Sequence, residues 1–336
     1  MARTVISTAA VLVWETLTAE GLDARAIFRE AGLDPALLSD GDGRYPMEGM
    51  RRLWLAAQQA SAEPCFGVAV GRRWAPKHFH ALGFALLACG TVMEALQRLQ
   101  RYGRIVNDAL RVQLAVEGDL CRLSLSLEPD AEDLPASVAV VAGVTSMVTM
   151  LRQLMGPGYC PHSISVRAAR PAAAVEFERY LGCPVYYGAA ETLLVLQRAD
   201  CEKAVMGASA ELLQANERVA EGYLARMAKA DIGARVEHEL MGLLPSGDVS
   251  EQSVADHLAL SVRSLQRQLQ QRGVSFNQLV QQVRQRLAKG YVDNRQLSLT
   301  EIAYLLGFSE PANFTRAFKR WYGCPPSAYR KARLLG

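Results

Sequence analysis

The chain has 336 residues, half of them hydrophobic and 21% charged, with a formal net charge of +3. That composition excludes a disordered chain, and the length allows two separate cores. The charge is unevenly spread: residues 250–336 hold 13 Lys+Arg against 5 Asp+Glu, while the rest holds 24 against 29. A basic end on a faintly acidic body points to a polyanion-binding module attached to something else.

Taken in order, the chain opens on "TVISTAAVLVW", which could pass for a poor export signal. However, Val5, Ile6, Ala9, Ala10, Val13, Trp14 and Leu17 follow a helical period and Glu15 interrupts the run. A first helix of the folded domain is therefore expected. Further helices are expected to about residue 105, the last being "TVMEALQRLQRYGRIV", where Thr91 and Glu94 have the spacing of a capping box. The period then changes to two. "ALRVQLAVEG" and "LCRLSLSLEP" alternate apolar and polar across a Glu-Gly-Asp turn and read as a hairpin.

"LPASVAVVAGVTSMVTML", residues 134–151, carries no charge over 18 positions, the lower limit for a membrane span. A helix apolar all round is equally what the centre of a large domain requires, and Gly143 with its neighbouring serines and threonines favours the buried helix. Strands "HSISVRA" and "ETLLVLQ", with "AAAVEFERYLG" as a helix between them, complete an α+β arrangement. From about Ser209 to Leu244 the pattern is helical again. "LLPSGDVS", residues 243–250, collects Pro, Gly, Ser and Asp where the charge balance changes sign, and is the expected boundary.

Seven cysteines (Cys65, Cys89, Cys121, Cys160, Cys183, Cys201, Cys324) are scattered, with no C-x-x-C pair. They argue against a zinc site or a disulfide framework and fit a reducing cytoplasm. "KHFH", residues 77–80, is too sparse for a metal site. No G-x-x-x-x-G-K-[ST], no G-x-S-x-G and no catalytic set is found, so no cofactor and no enzymatic activity are expected.

Two segments of the basic end share one plan. In "SVADHLALSVRSLQRQLQQRG", residues 253–273, Val254, Ala255 and Leu258 form a short apolar face and Ser261 can cap a second helix. Leu265 and Leu269 point one way on that helix, and Arg263, Gln266, Arg267 and Gln270 the other; Gly273 suits a helix C-terminus. In "SLTEIAYLLGFSEPANFTRAFKRWYG", residues 298–323, Thr300 is the expected cap, Ile302, Ala303, Leu305 and Leu306 are apolar, Gly307 ends the helix and Ser309 can cap the next. There Phe314, Ala317, Phe318 and Trp321 form a stripe opposite Asn313, Arg316 and Arg320, with Lys319 beside them.

Each segment is helix, tight turn, helix, the plan of a helix-turn-helix whose second helix enters the major groove. One copy could be plain packing with a solvated face; two copies in a basic domain are harder to explain that way. Arg can donate twice to guanine and Asn or Gln can pair with adenine, so the outward Asn313 and Arg316 are expected to meet bases. Short hydroxyls and basic side chains suit phosphates, which assigns Ser261, Ser309, Lys319 and Arg320 to the DNA backbone. "SFNQLVQQVRQRLAKGYV", residues 275–292, reads as one connecting helix.

The order "LALSVRSLQRQLQQRG" then "EIAYLLGFSEPANFTRAFKRWYGCPPSAYR" resembles the DNA-binding domain of the AraC/XylS family of bacterial transcription regulators. The resemblance covers about residues 245–333 and implies a seven-helix domain with two helix-turn-helix units, in which, by motif position, Arg263, Gln266 and Arg267 would read bases in one groove and Asn313 and Arg316 in the next. Pro311 and Ala312 offer no side-chain hydrogen bonds, so the second unit would be the less selective reader. More loosely, residues 15–200 resemble the arabinose-binding-like N-terminal domain of one branch of that family, which does not imply arabinose as ligand.

The resemblance thus implies an α+β N-terminal sensor domain over 1–207, a helical linker region over 208–244 and an all-α DNA-binding domain over 245–336. It also implies promoter DNA, a small-molecule effector and RNA polymerase as partners, a homodimer, a cytoplasmic location without membrane attachment, and activation as the expected sign. Thr145, Ser146 and Thr149 are candidates to line an effector cavity, although hydroxyls bonded back to their own helix would look the same in sequence. The rival readings are a dimerising factor without a ligand and an enzyme with an appended DNA-binding module.

Overall fold

The computed structural model describes residues 3–127, 137–170, 173–230, 232–271, 274–294 and 297–332. Its elements run β1 (Thr4–Ile6), α1 (Ser7–Ala19), α2 (Ala24–Glu30), β2 (Arg44–Pro46), α3 (Met47–Ala60), α4 (Phe66–Gly71), α5 (His80–Ala88) and α6 (Val92–Tyr102). There follow β3 (Leu110–Glu117), β4 (Leu120–Leu127), α7 (Ser137–Met155), β5 (Ser163–Val166), α8 (Ala174–Leu181), β6 (Val185–Tyr187), β7 (Thr192–Gln197), α9 (Arg198–Cys201) and α10 (Ala210–Ala230). The last seven are α11 (Ile232–Leu243), α12 (Glu251–His257), α13 (Val262–Gln271), α14 (Phe276–Asp293), α15 (Leu299–Leu305), α16 (Pro311–Tyr322) and α17 (Pro326–Ala332).

The chain divides into two units between Ala225 and Arg226, within α10. The stretch 243–250, expected as the boundary, lies inside the second unit. Leu244 is fully buried there with Ile232, Val236 and Leu240 of α11, whose apolar stripe needs that core.

In the first unit β3 and β4 form the expected hairpin, with Glu117 opposite Leu120 and Gly118 in the left-handed region at φ 58°. The sheet order is β3-β4-β7-β5-β6, antiparallel except for the parallel β5–β6 pair. Strand β7 is central and buried along Thr192–Leu196, which is why "TLLVL" shows no alternation. Strands β1, β2 and β6 have three residues each, too few for a period to show.

Thr91 caps α6 by accepting from Glu94 N–H (3.1 Å), but the Glu94 carboxylate accepts from Gly90 N–H (3.1 Å), so the capping box is only half formed. The apolar stretch expected as a buried helix is α7; residues 134–136 lie outside the described ones. Although α7 is long and apolar enough to cross a membrane, most of it is buried in the unit. Helix α4 lies directly on it. A Cβ on Gly67 would sit 2.6 Å from the Val138 carbonyl oxygen, and one on Gly71 would sit 2.4 Å from the Thr145 Cβ. Glycines at i and i+4 let the two backbones meet.

The second unit strings two small cores along α14. Val254, Ala255, Leu265 and Leu269 pack on Phe276, Leu279, Val280 and Val283 at its start. Ile302, Ala303, Leu306, Phe314 and Phe318 pack on Ala288 and Val292 toward its end, and Leu287 touches both clusters. With 18 residues, α14 is about 27 Å long.

Candidate nucleic-acid interface and effector cavity

The two helix pairs of the second unit turn in the same way. Between α12 and α13, Leu260 N–H donates to Ala255 O (2.9 Å) and Ala259 takes φ 53°; between α15 and α16, Phe308 N–H donates to Ala303 O (3.0 Å) and Gly307 takes φ 69°. A left-handed residue closes each first helix and sends the chain into the second. Both expected turns are present, although Gly273 lies outside the described residues.

On α13, Leu265 and Leu269 are buried while Arg263, Gln266, Arg267 and Gln270 are exposed. On α16, Phe314, Ala317 and Phe318 are buried, Arg316, Lys319 and Arg320 are exposed, and Asn313 is half-buried. The expected readers therefore share the outer face of their own helices. Two hold neighbours: Gln266 Nε2 donates to the Glu251 carboxylate, and Arg316 Nη2 donates to Asn313 Oδ1 (2.5 Å). Arg320 Nη2 reaches Gln281 Oε1 on α14 (3.3 Å).

The helix starts differ from the expected ones in two places. Ser261 caps α13 by accepting from Ser264 N–H (3.2 Å), but Ser309 does not cap α16. There the flanking residue is Glu310, without a side-chain cap, because Pro311 at the first helical position has no N–H and its fixed φ starts the helix. The cap of α15 is Ser298 and not Thr300. Ser298 Oγ accepts from Glu301 N–H (3.1 Å) and Glu301 Oε2 accepts from Ser298 N–H (2.7 Å), a reciprocal pair that three-residue spacing allows.

Two arginines that the sequence reading passed over hold this unit together. Arg284 on α14 donates to Leu306 O and Gly307 O (both 2.8 Å), its guanidinium 4.5 Å from the centre of the Phe308 ring. Burial pushes its pKa down from the usual arginine value. Arg330 on α17 donates to Val292 O (2.9 Å), Leu297 O (2.9 Å) and Asn294 O (3.3 Å), closing the end of α14. The signal for Arg284 was its place in the apolar stripe, at i+4 from Val280 and i−3 from Leu287.

The first unit contains a cavity of about 460 Å³. Ser146 is among its lining residues, whereas Thr145 and Thr149, one turn apart on the other side of α7, face α4. Thr149 Oγ1 lies 2.7 Å from the Tyr180 hydroxyl and donates to Gly71 O (3.0 Å) or back to Thr145 O (2.8 Å). The three hydroxyls therefore do not line one wall: a step of one residue turns a side chain about 100° around a helix.

Within "KHFH", His78 is buried. Its Nδ1 accepts from Ala75 N–H (2.9 Å), and its Nε2 lies 3.1 Å from Glu15 Oε2. Burial lowers its pKa, against the pull of Glu15. Among the described residues no three potential metal ligands converge.

Comparison with known proteins fits both units. The family model for the arabinose-binding domain of AraC transcription regulators matches residues 21–205, more than half of the chain, and a helix-turn-helix domain model matches residues 254–332. The chain belongs to the AraC family of transcription regulators. Its similarity to two other regulators spans nearly the whole length, and to a third about a quarter of it. The ornithine utilization regulator of Pseudomonas aeruginosa is 29% identical over 318 residues, covering 93% of this chain and 92% of its own. The HTH-type regulator VirS of Mycobacterium tuberculosis is 25% identical over 320 residues, covering 92% and 91%. The HTH-type transcriptional activator RhaS of Escherichia coli is 34% identical over 87 residues, 26% of this chain and 31% of its own. As an AraC-family protein it is a DNA-binding transcription regulator with an arabinose-binding-like N-terminal domain.

Proposed function

We propose that this regulator is a sequence-specific activator whose grip on promoter DNA is set by a small molecule held in the first unit. The observation that carries the DNA part is the repeated turn: two helices with basic, amide-bearing outer faces, each behind a left-handed residue, on either half of one rigid helix. A connector of about 27 Å suits reading helices in grooves one turn, or about 34 Å, apart. Arg263, Gln266 and Arg267 read bases in one groove, Asn313 and Arg316 in the next, with Ser261, Ser309, Lys319 and Arg320 on the phosphates.

Support for effector control comes from α6. Leu99 lines the cavity, while Arg98 and Arg101 of the same helix pair with Glu217 (3.2 Å) and Glu221 (2.8 Å) of α10. A ligand that shifts α6 would thus act on the helix in which the two units divide. The proposed sign is activation, the word in the name of RhaS, a relative over 87 residues; contact with RNA polymerase, a homodimer and a cytoplasmic location belong to the same proposal.

The test is selection of a binding site from random DNA by the full-length protein. A site with two informative blocks about one helical turn apart supports two reading helices. Affinity should fall with salt, with a log–log slope of about −0.9 per phosphate contacted. Binding without sequence preference would overturn the reading.

A further inference from the structure

We propose that the two reading helices present side-chain amides of opposite polarity, so that Gln266 takes an A·T pair and Asn313 a G·C pair. The inference rests on the reading of α13 and α16 as the DNA-reading helices and adds which base pair each amide accepts. Gln266 is exposed and Asn313 half-buried. Both stand in the N-terminal half of their helix, the part of a recognition helix that meets base edges. Each amide is held by a neighbour that fixes which of its ends is left over.

Gln266 is held through its nitrogen. Its Nε2 donates to Glu251 Oε2, on the first residue of α12. An ionised carboxylate accepts and cannot donate, so the amide oxygen is turned away from it. Asn313 is held through its oxygen. Arg316 Nη2 donates to Asn313 Oδ1 (2.5 Å) across one turn of α16. A guanidinium donates and cannot accept, so here the amide nitrogen is turned away. Among the described residues neither Gln266 Oε1 nor Asn313 Nδ2 has a partner.

The bases differ in what they offer. Adenine sets its N6 donor beside the N7 acceptor, and matching both takes one acceptor and one donor. Gln266 retains that set: Oε1 and the second hydrogen of Nε2. Guanine sets two acceptors, N7 and O6, side by side. Asn313, with its oxygen engaged, retains donors only, and Arg316 beside it is a donor as well. Together they suit guanine and meet the adenine amine with a second N–H, a contact that leaves both donors unpaired. Two amides of the same chemical type are thus set to different base pairs by what holds them. Glu251 acts here as a positioning residue, through Gln266.

The experiment selects binding sites from random duplex DNA with the full-length protein and with its Gln266→Ala, Asn313→Ala, Glu251→Gln and Arg316→Ala variants; thermal melts check that each is folded. The position whose preference is lost in Gln266→Ala is expected to be A·T in the wild-type site. The position lost in Asn313→Ala is expected to be G·C and to lie in the other block. Each preference should be about tenfold. Glu251→Gln puts beside Gln266 a group that can donate or accept. The A·T preference should then fall by about tenfold, with every other position unchanged. Arg316→Ala frees Asn313 Oδ1 and should turn the Asn313 position from G·C toward A·T.

A G·C pair at the Gln266 position, or an A·T pair at the Asn313 position, overturns the polarity of that unit. Removing a surface carboxylate tightens binding to all DNA alike. A Glu251→Gln protein that gains affinity in that way and keeps its A·T preference overturns the positioning role. A G·C preference that survives Arg316→Ala at the Asn313 position overturns the role of Arg316. If Gln266→Ala and Asn313→Ala both select the wild-type site, the proposal falls and base reading is left to the arginines. Failure of the wild-type protein to select any consensus overturns instead the DNA-reading assignment beneath it.

Discussion

The two helix-turn-helix units solve one geometric problem with different materials. The first packs leucines, turns at Ala259 and caps its second helix with Ser261. The second packs aromatic rings, with Phe318 within 6 Å of Phe314, Tyr322 and Tyr329, turns at Gly307 and opens its second helix on Pro311. The difference lies in what surrounds the turn. A Cβ on Gly307 would lie 2.8 Å from the Leu244 carbonyl oxygen, and Arg284 grips that same turn from α14. Ala259 carries its Cβ at nearly the same φ. The second turn is thus locked between two elements, whereas the first tolerates a side chain at a modest conformational cost.

The sharpest way to break this comparison is Gly307→Ala. It adds a methyl group to a left-handed residue and drives it into backbone, so we expect a loss of about 3 kcal/mol in the stability of the second unit. Denaturant melts of the full-length protein, with hydrogen exchange on α15 and α16, would show it; an unchanged exchange pattern would mean the turn is not locked. Next comes Arg284→Gln, which removes two charge-assisted bonds to carbonyl groups and a cation–ring contact. A loss of about 2 kcal/mol is expected, confined to the second core. Equal loosening of α12 and α13 would contradict that assignment.

Periodicity made the inner and outer faces of α13 and α16 legible in the sequence. Leu265 with Leu269, and Phe314 with Phe318, fix which side is inside, so the exposed side of each helix follows. The turns were legible through Gly307 and less so through Ala259, since alanine does not advertise a positive φ. Caps were read less well, because several hydroxyls stood near each start; only the reciprocal bond from Glu301 selects Ser298 over Thr300, and Pro311 needs no cap.

Arg284 and Arg330 were illegible as clamps, since their partners are main-chain carbonyls with no side-chain identity, 22 to 38 residues away. The division within α10 was hidden for a related reason. A helix crossing from one unit to the next leaves no Pro, Gly or Ser cluster to mark the place, and the cluster at 243–250 belongs to a turn beside Leu244. In the first unit, composition suggested that Thr145, Ser146 and Thr149 act together, yet helical geometry sends only Ser146 to the cavity.

Two smaller effects sharpen the comparison on DNA and in the fold. Arg267 and Arg316 occupy matching places, each two residues beyond the first buried residue of its helix, Leu265 or Phe314. Replacing either by Ala should cost about 2 kcal/mol on the selected site and relax base preference in one block only. Equal losses on selected and scrambled DNA would reduce both to phosphate contacts.

The smallest effect is the converse of the first. Ala259→Gly relieves a left-handed alanine, worth about 1–2 kcal/mol, but frees the unfolded chain at a cost of about 0.4–1 kcal/mol. A net gain of about 0.5 kcal/mol is expected, visible as slower exchange of the α12 and α13 amides and absent from α15 and α16. Opposite signs for Ala259→Gly and Gly307→Ala, at turns with the same hydrogen bond, would mean that the surroundings of each turn decide its residue. A destabilised Ala259→Gly would instead mean that the alanine methyl packs in the first turn, and that both units are locked alike.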